Sequence, residues 1–239
     1  MTTLFKEPET CLVCGQSHDY VGIGSTNRFG SPDLDTRPPE MMRSTMPYWI
    51  RCCPSCGYCA PRVSEGPELV KSVVRAERYV RQRDDPAFPE LANSFLCWAI
   101  VQEELGDLAG AGWAALRAAW ACDDQGTPEA ARQCRLRAIE LFRQARAKGA
   151  CFMEGRGDEQ ALLADLLRRS GRFEQVEAIC QEGLQANPSK TIRDMLTFQK
   201  ALALRKDDKR HRIEEAVEQP PRSVRGRSLP QGKAIRRSS

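Results

Sequence analysis

Apolar positions divide the chain into two regimes. From Pro67 onward they recur at helical spacing, whereas residues 1 to about 62 show no such period and are dense in Pro, Gly, Asp and Ser. Leu69, Val70, Val73, Val74 and Val80 form a first stripe ending near Arg83, and Asp84-Asp85-Pro86 breaks it. A second helix is predicted from about Pro89 to Leu105, with Leu91, Phe95, Trp98 and Ile100 or Val101 inward. A third, about Leu108 to Cys122, carries Ala111, Ala115, Ala118 and Ala119 on one side. Thr127-Pro128-Glu129 reads as an N-cap, a proline at the first helical position and an acid in the first turn. It opens a fourth helix, running to about Lys148. Helices follow over about 158–169 and 173–186, and another starts near Ser189.

The N-terminal regime predicts short β-type runs at Tyr20-Val21-Gly22-Ile23 and Tyr48-Trp49-Ile50, the second leading into Cys53. Pro32, Pro38 and Pro39 make the segment between them a loop, because proline has no N–H for a ladder. The expected organisation is therefore a mainly α protein. A short-β zinc ribbon occupies 1–62, a TPR-like antiparallel helical array occupies 63–218, and a disordered basic tail occupies 219–239.

The chemistry concentrates in two matching pieces. Cys11-Leu-Val-Cys14-Gly15 and Cys53-Pro-Ser-Cys56-Gly57 are both Cys-x-x-Cys-Gly, the form of a zinc knuckle, with 38 residues between Cys14 and Cys53. Paired thiolates at this spacing present their sulfurs to one ion, and the glycine lets the backbone turn behind them. Cys11, Cys14, Cys53 and Cys56 are the predicted ligands of one Zn2+. Cys59, Cys52 and His18 are nearby competitors, Cys52 pointing the other way along an extended strand. A ribbon this small cannot bury enough apolar surface alone, and a metal staple is the expected remedy.

The other motifs lead away from catalysis. A redox Cys-x-x-Cys needs a βαβ setting with its first thiol at a helix N-terminus, and neither pair has one. Asp33 and Asp35 read as turn-capping residues paired with Arg37 or Arg43 rather than as a second metal site. Gly22-x-Gly24-x-x-Asn27 lacks the third glycine and following helix of a nucleotide fingerprint. With two histidines in 239 residues, general acid–base chemistry has few candidates, and no catalytic residue is assigned.

Composition sharpens the picture in two places. The chain has eleven cysteines, and paired Cys-x-x-Cys without a signal peptide points to metal in a reducing cytoplasm rather than to a disulfide framework. Cys97, Cys122, Cys134, Cys151 and Cys180 fall in helical patterns and read as small core residues. The longest apolar run, Phe95 to Val101, is too short to span a membrane. The net charge of +4 belongs to the tail: residues 219–239 hold six basic side chains and no acid, leaving 30 basic and 32 acidic in the body. Residues 1–62 carry six of each sign and lack the footprint of a phosphate-tracking surface.

Two stretches repeat. Gly171-Arg-Phe173-x-x-Val176-x-x-Ile179-Cys180-x-x-Gly183-Leu184-x-x-Asn187-Pro188 follows the tetratricopeptide pattern, and Gly106-Asp-Leu108-x-x-Ala111 with Ala118 echoes it 65 residues earlier. Two periods of about 34 residues overshoot that offset, so one unit between them is atypical, which suits the long fourth helix.

The order of these features resembles a known family. Cys-x-x-Cys-Gly, a Ser-Pro-Asp-Leu-Asp loop, Trp-x-x-x-Cys-Pro-x-Cys-Gly-Tyr and then TPR-like helices is similar, over about residues 10–205, to a bacterial family catalogued as domain of unknown function twenty-two twenty-five. The resemblance implies a bacterial, cytoplasmic zinc-binding protein and brings no activity with it. The expected function is a scaffold that grips a protein partner on stacked helix pairs. The alternative is a nucleic-acid-associated zinc ribbon acting through the basic tail.

Overall fold

The computed structural model describes residues 2–218; the expected tail at 219–239 lies outside the described residues. Strands β1 (Thr3–Thr10) and β2 (Ser17–Ser25) form an antiparallel hairpin, with Thr10 opposite Ser17 and Glu7 opposite Tyr20. The sequence pattern does not anticipate β1, because its side chains are mostly exposed on both faces and leave no alternation to detect. Pro8 fits within it because a two-stranded sheet consists only of edges. Gly22 and Gly24 lie inside β2; a Cβ on Gly22 would sit 2.6 Å from the Phe5 ring, so this glycine gives the cross-strand aromatic its seat.

The expected β-run at Tyr48–Ile50 is instead the end of a 3-10 turn, Arg43–Tyr48. The strand that enters the second knuckle is β3 (Arg51–Cys52), paired with β4 (Cys59–Ala60). Thr45 closes the turn by accepting a 2.8 Å hydrogen bond from the Trp49 indole N–H, which competes with extension there.

A helical array follows, in the expected order: α1 (Val70–Val73), α2 (Glu77–Arg83), α3 (Glu90–Glu104), α4 (Leu108–Asp124), α5 (Pro128–Ala147), α6 (Asp158–Arg169), α7 (Phe173–Gln185), α8 (Lys190–Leu204) and α9 (Ile213–Glu218). The first apolar stripe is split rather than continuous to Arg83. Ala76 is extended, with ψ 144°, and this re-aims the chain so that Tyr79 enters the core. The fully buried Tyr79 hydroxyl donates to Gly57 O and accepts from Cys59 N, both at 2.9 Å. That pair of bonds ties the second knuckle to the array and outweighs local helix propensity. Thr127 occupies the N-cap position of α5, but its hydroxyl turns back to Cys122 O instead of capping.

Helix α4 is the central member, packed against α3 and α5. Its buried Ala111, Ala114, Ala115, Ala118 and Ala119 admit close neighbours, and Phe142 of α5 lies where a Cβ on Gly112 would come within 2.6 Å. Cys97, Cys122, Cys134 and Cys180 are buried as expected. Cys151 is not: it is exposed, in the connection after α5.

Between β2 and the 3-10 turn the chain is irregular, as its prolines require, but its residues 33–39 are not a surface loop. Asp33, Leu34, Asp35 and Arg37 are each at most 1% exposed. Leu34 N donates to His211 O and Ile213 N donates to Pro32 O, both at 2.9 Å, so the α8–α9 connection closes over the segment. Asp35 is the pivot. Its Oδ2 accepts from Trp120 Nε1 of α4 at 2.8 Å and from Arg169 Nη1 of α6 at 3.1 Å, while its Oδ1 accepts from Arg37 N. Arg37 reaches Asp124 at the end of α4 (2.5 Å), and Arg43 pairs with Asp33 at 2.7 Å. Arg169 and Arg135 converge on Asp123. One continuous core therefore runs from Cys11 through Leu34 to Ala216.

Removing one member of a buried, hydrogen-bonded ion pair strands its partner, at a cost of about 3–5 kcal/mol. Asp35→Ala is expected to lower unfolding free energy by that amount in urea titration, and a change within about 0.5 kcal/mol would contradict the clasp. Burial pushes the Asp123 carboxyl up, but Arg135 and Arg169 outweigh this and hold it below the usual carboxylate range. Its stabilisation is thus complete above the unfolded value of about 3.9 and is lost as pH falls through the folded value. Asp123→Asn is expected to be less stable than the parent at neutral pH, and the gap should narrow as pH falls below about 4, read from urea midpoints across pH.

Candidate metal centre

The two knuckles are built alike. In the first, Cys11 N donates to Gln16 O (2.9 Å) and Gly15 N to Cys11 O (2.8 Å). In the second, Cys53 N donates to Tyr58 O and Gly57 N to Cys53 O, both at 2.8 Å. Gly15 and Gly57 take φ of 73° and 75°, the left-handed region in which a side chain would be strained. The β1–β2 hairpin presents the first knuckle and the β3–β4 pair presents the second.

The four sulfurs of Cys11, Cys14, Cys53 and Cys56 all lie within 4.8 Å of one another. Across the knuckles, Cys11 Sγ is 3.6 Å from Cys56 Sγ and Cys14 Sγ is 3.6 Å from Cys53 Sγ. A tetrahedron with metal–sulfur bonds of about 2.3 Å has edges of about 3.8 Å, so the donor set fits one four-coordinate ion. Burial pushes the Cys11 and Cys56 thiols up, and the neighbouring sulfurs raise Cys56 further. Cys14 is held down, chiefly by the Gln16 backbone. Gathering four sulfurs in a half-buried site is unfavourable for thiolates by themselves, and a dication removes that penalty. The four cysteines could hold a metal ion.

The competing residues are accounted for. Cys52 and Cys59 face each other across β3–β4 with Cα atoms 4.1 Å apart and are joined in a disulfide. This departs from the expectation of reduced thiols throughout; the antiparallel register sets the two flanking cysteines directly opposite, within bridging distance. Joined to each other, the two offer no thiolate, and neither belongs to the four-sulfur cluster. His18 hydrogen-bonds through Nε2 to Ser55 Oγ at 2.8 Å, linking one knuckle to the other from outside the sulfur cluster.

Around the cluster, Arg51 of β3 pairs with Glu7 and Glu9 of β1, and Glu9 also accepts from Ser64 N and Oγ. Leu12 N donates to Val63 O at 2.9 Å. Asp33 and Asp35 do not join the centre. Asp33 pairs with Arg43 and Asp35 caps the turn at Arg37 N, as expected, but the bonds of Asp35 to Trp120 and Arg169 have no sequence signature. Asp123 and Arg169 read as ordinary helix-end residues, and nothing local marks two groups separated by 46 positions as partners.

Comparisons with protein-family models, with curated proteins and with solved structures each returned no match for this chain. Among the described residues no helix is long and apolar enough to cross a membrane.

Elemental analysis of reduced, purified protein is expected to give one metal ion per chain, lost in Cys14→Ser and Cys53→Ser and retained in Cys52→Ser/Cys59→Ser and Cys97→Ser. Cys97→Ser should instead lower stability by about 1–3 kcal/mol, because it buries a hydroxyl in a thiol's place. Full occupancy in Cys53→Ser would overturn the ligand set.

Proposed function

We propose that the protein is a zinc-stabilised helical scaffold that presents its array to a protein partner. The observation that carries this reading is the donor set: four thiolates at tetrahedral spacing, all from knuckle turns. Such soft donors favour zinc, and four of them complete its coordination, leaving no position for substrate. The ion then acts structurally. Structural zinc contributes about 10–16 kcal/mol of apparent binding free energy, comparable to or above the stability of a typical domain.

The array supplies the surface. The Gly171 to Pro188 match to the tetratricopeptide pattern covers α7 and its turns, and supports a TPR-like reading of the hairpins around it. Between α7 and α8 lies a cleft of about 270 Å³ with Phe173, Ala203 and Leu204 on its apolar side and Glu174, Glu177, Lys200 and Lys206 around it. Leu204 is 83% exposed. An apolar strip with charges of both signs suits an amphipathic peptide segment better than a polyanion. A bacterial setting rests only on the resemblance noted in the sequence, and a cytoplasmic one on that resemblance and on the cysteine usage. The nucleic-acid alternative rests on six basic residues of the tail, which lie outside the described residues.

The test is affinity capture from a lysate of the source organism with the tagged full chain and with Leu204→Asp. The scaffold reading expects a protein retained after nuclease treatment by the parent and lost by the variant. Capture of only nucleic-acid complexes, released by nuclease and by deletion of 219–239, would replace it with the alternative.

A further inference from the structure

A second feature has no part in the metal centre or the α7–α8 cleft. Where the inter-knuckle segment crosses α4, it leaves an open pocket of about 290 Å³ lined by Trp49, Trp113 and Trp120, three of the four tryptophans in the chain. Trp113, Arg117 and Trp120 share one face of α4 at i, i+4 and i+7. The opposite wall comes from the segment itself, including Arg28 and Thr36.

Each indole N–H is already engaged away from a ligand: Trp49 donates to Thr45 Oγ1, Trp113 to Phe152 O and Trp120 to Asp35 Oδ2. Their rings are thereby held in place, and their carbon surfaces remain to line the space. Thr36 holds φ at 68°, unusual for a β-branched side chain, at the point where the segment bends around the cavity.

The two cations here have no ion pair among the described residues. Arg117 lies over the Trp49 ring at 6.0 Å and has no ion pair or side-chain hydrogen bond among the described residues. Burial alone moves its pKa, and moves it down, so no carboxylate offsets the desolvation of its charge. The nearby acids are committed elsewhere, Asp35 to Arg169 and Asp124 to Arg37. The lining contains two arginines and no acid.

We infer that this cavity is a binding site for a small planar aromatic molecule carrying one anionic group, its ring among the tryptophans and its anion on Arg117 and Arg28. Guanidinium forks match carboxylate and phosphate oxygens, and indole faces accept flat rings in offset or edge contact. Cationic ligands, which aromatic boxes otherwise favour, are repelled by the two arginines. The volume is at the lower limit of ligand cavities, about 300–1,000 Å³, so it takes one ring system rather than a dinucleotide. A polymer would need a basic track leading away from the cavity, and residues 1–62 are electrically neutral. An aromatic carboxylate and a mononucleotide share the required chemistry.

The test is titration of the full metal-loaded chain, followed by tryptophan fluorescence and by calorimetry. The probes are benzoate and adenosine monophosphate, with adenosine, inorganic phosphate and a single-stranded oligonucleotide for comparison. At least one ring-bearing anion is expected to bind with a submillimolar Kd and change the fluorescence. Adenosine and phosphate should each bind at least tenfold more weakly. Arg117→Gln, which breaks no hydrogen bond, and Arg28→Gln, at an exposed position, should each weaken binding about tenfold with little change in melting temperature. Benzoate binding alone assigns a carboxylate, and adenosine monophosphate binding alone assigns a phosphate. The inference is overturned if neither probe binds below about 1 mM, if binding is the same in both arginine variants, or if only the oligonucleotide binds.

Discussion

Two knuckles must meet although 38 residues separate them, and much of the rest of the architecture depends on that closure. Bringing Cys11 and Cys14 beside Cys53 and Cys56 closes the intervening chain into a loop. A closed loop has lost much of its conformational freedom before it makes any other contact. The segment can then be buried with few regular backbone bonds of its own. It is anchored by sulfur at its ends and by carboxylate and guanidinium in its middle.

The clasp at Asp35 shows how the middle is held. A carboxylate at 0% exposure is costly unless paired, and this one is met by Arg169, by the Trp120 indole and by the Arg37 backbone. These partners come from α6, from α4 and from the segment itself, so satisfying one charge fixes three parts of the molecule together. Tyr79 does the same for the second knuckle through its two bonds at Gly57 and Cys59. The knuckles and the helical array are consequently one structure sharing one core. The aromatic pocket is a by-product of the same junction, with one wall on α4 and the other on the segment that the paired knuckles close.

The local rules were legible in the sequence. The knuckles carry their own geometry in Cys-x-x-Cys-Gly, because a left-handed glycine behind two thiols is a short-range requirement. The helices from α3 to α8 announce themselves because burial of one face imposes a 3.6-residue period, and glycine, asparagine and proline mark where it stops. The prolines excluded a strand ladder from residues 31–39, between β2 and the 3-10 turn. What tertiary structure decided was wherever a distant partner outweighed a local preference. The stripe after Pro67 breaks at Ala76 so that Tyr79 can reach the knuckle backbone, and Thr127 turns its hydroxyl to Cys122 instead of capping α5. The extended look of Tyr48–Ile50 gives way to a turn bonded through Trp49, and Cys52 meets Cys59 only because two strands align in register. An irregular, polar, proline-rich segment carries no period that reports which face is buried. Its place at the centre of the molecule is set by charges on α4 and α6 far along the chain, and pairings across such separations leave no trace in local sequence.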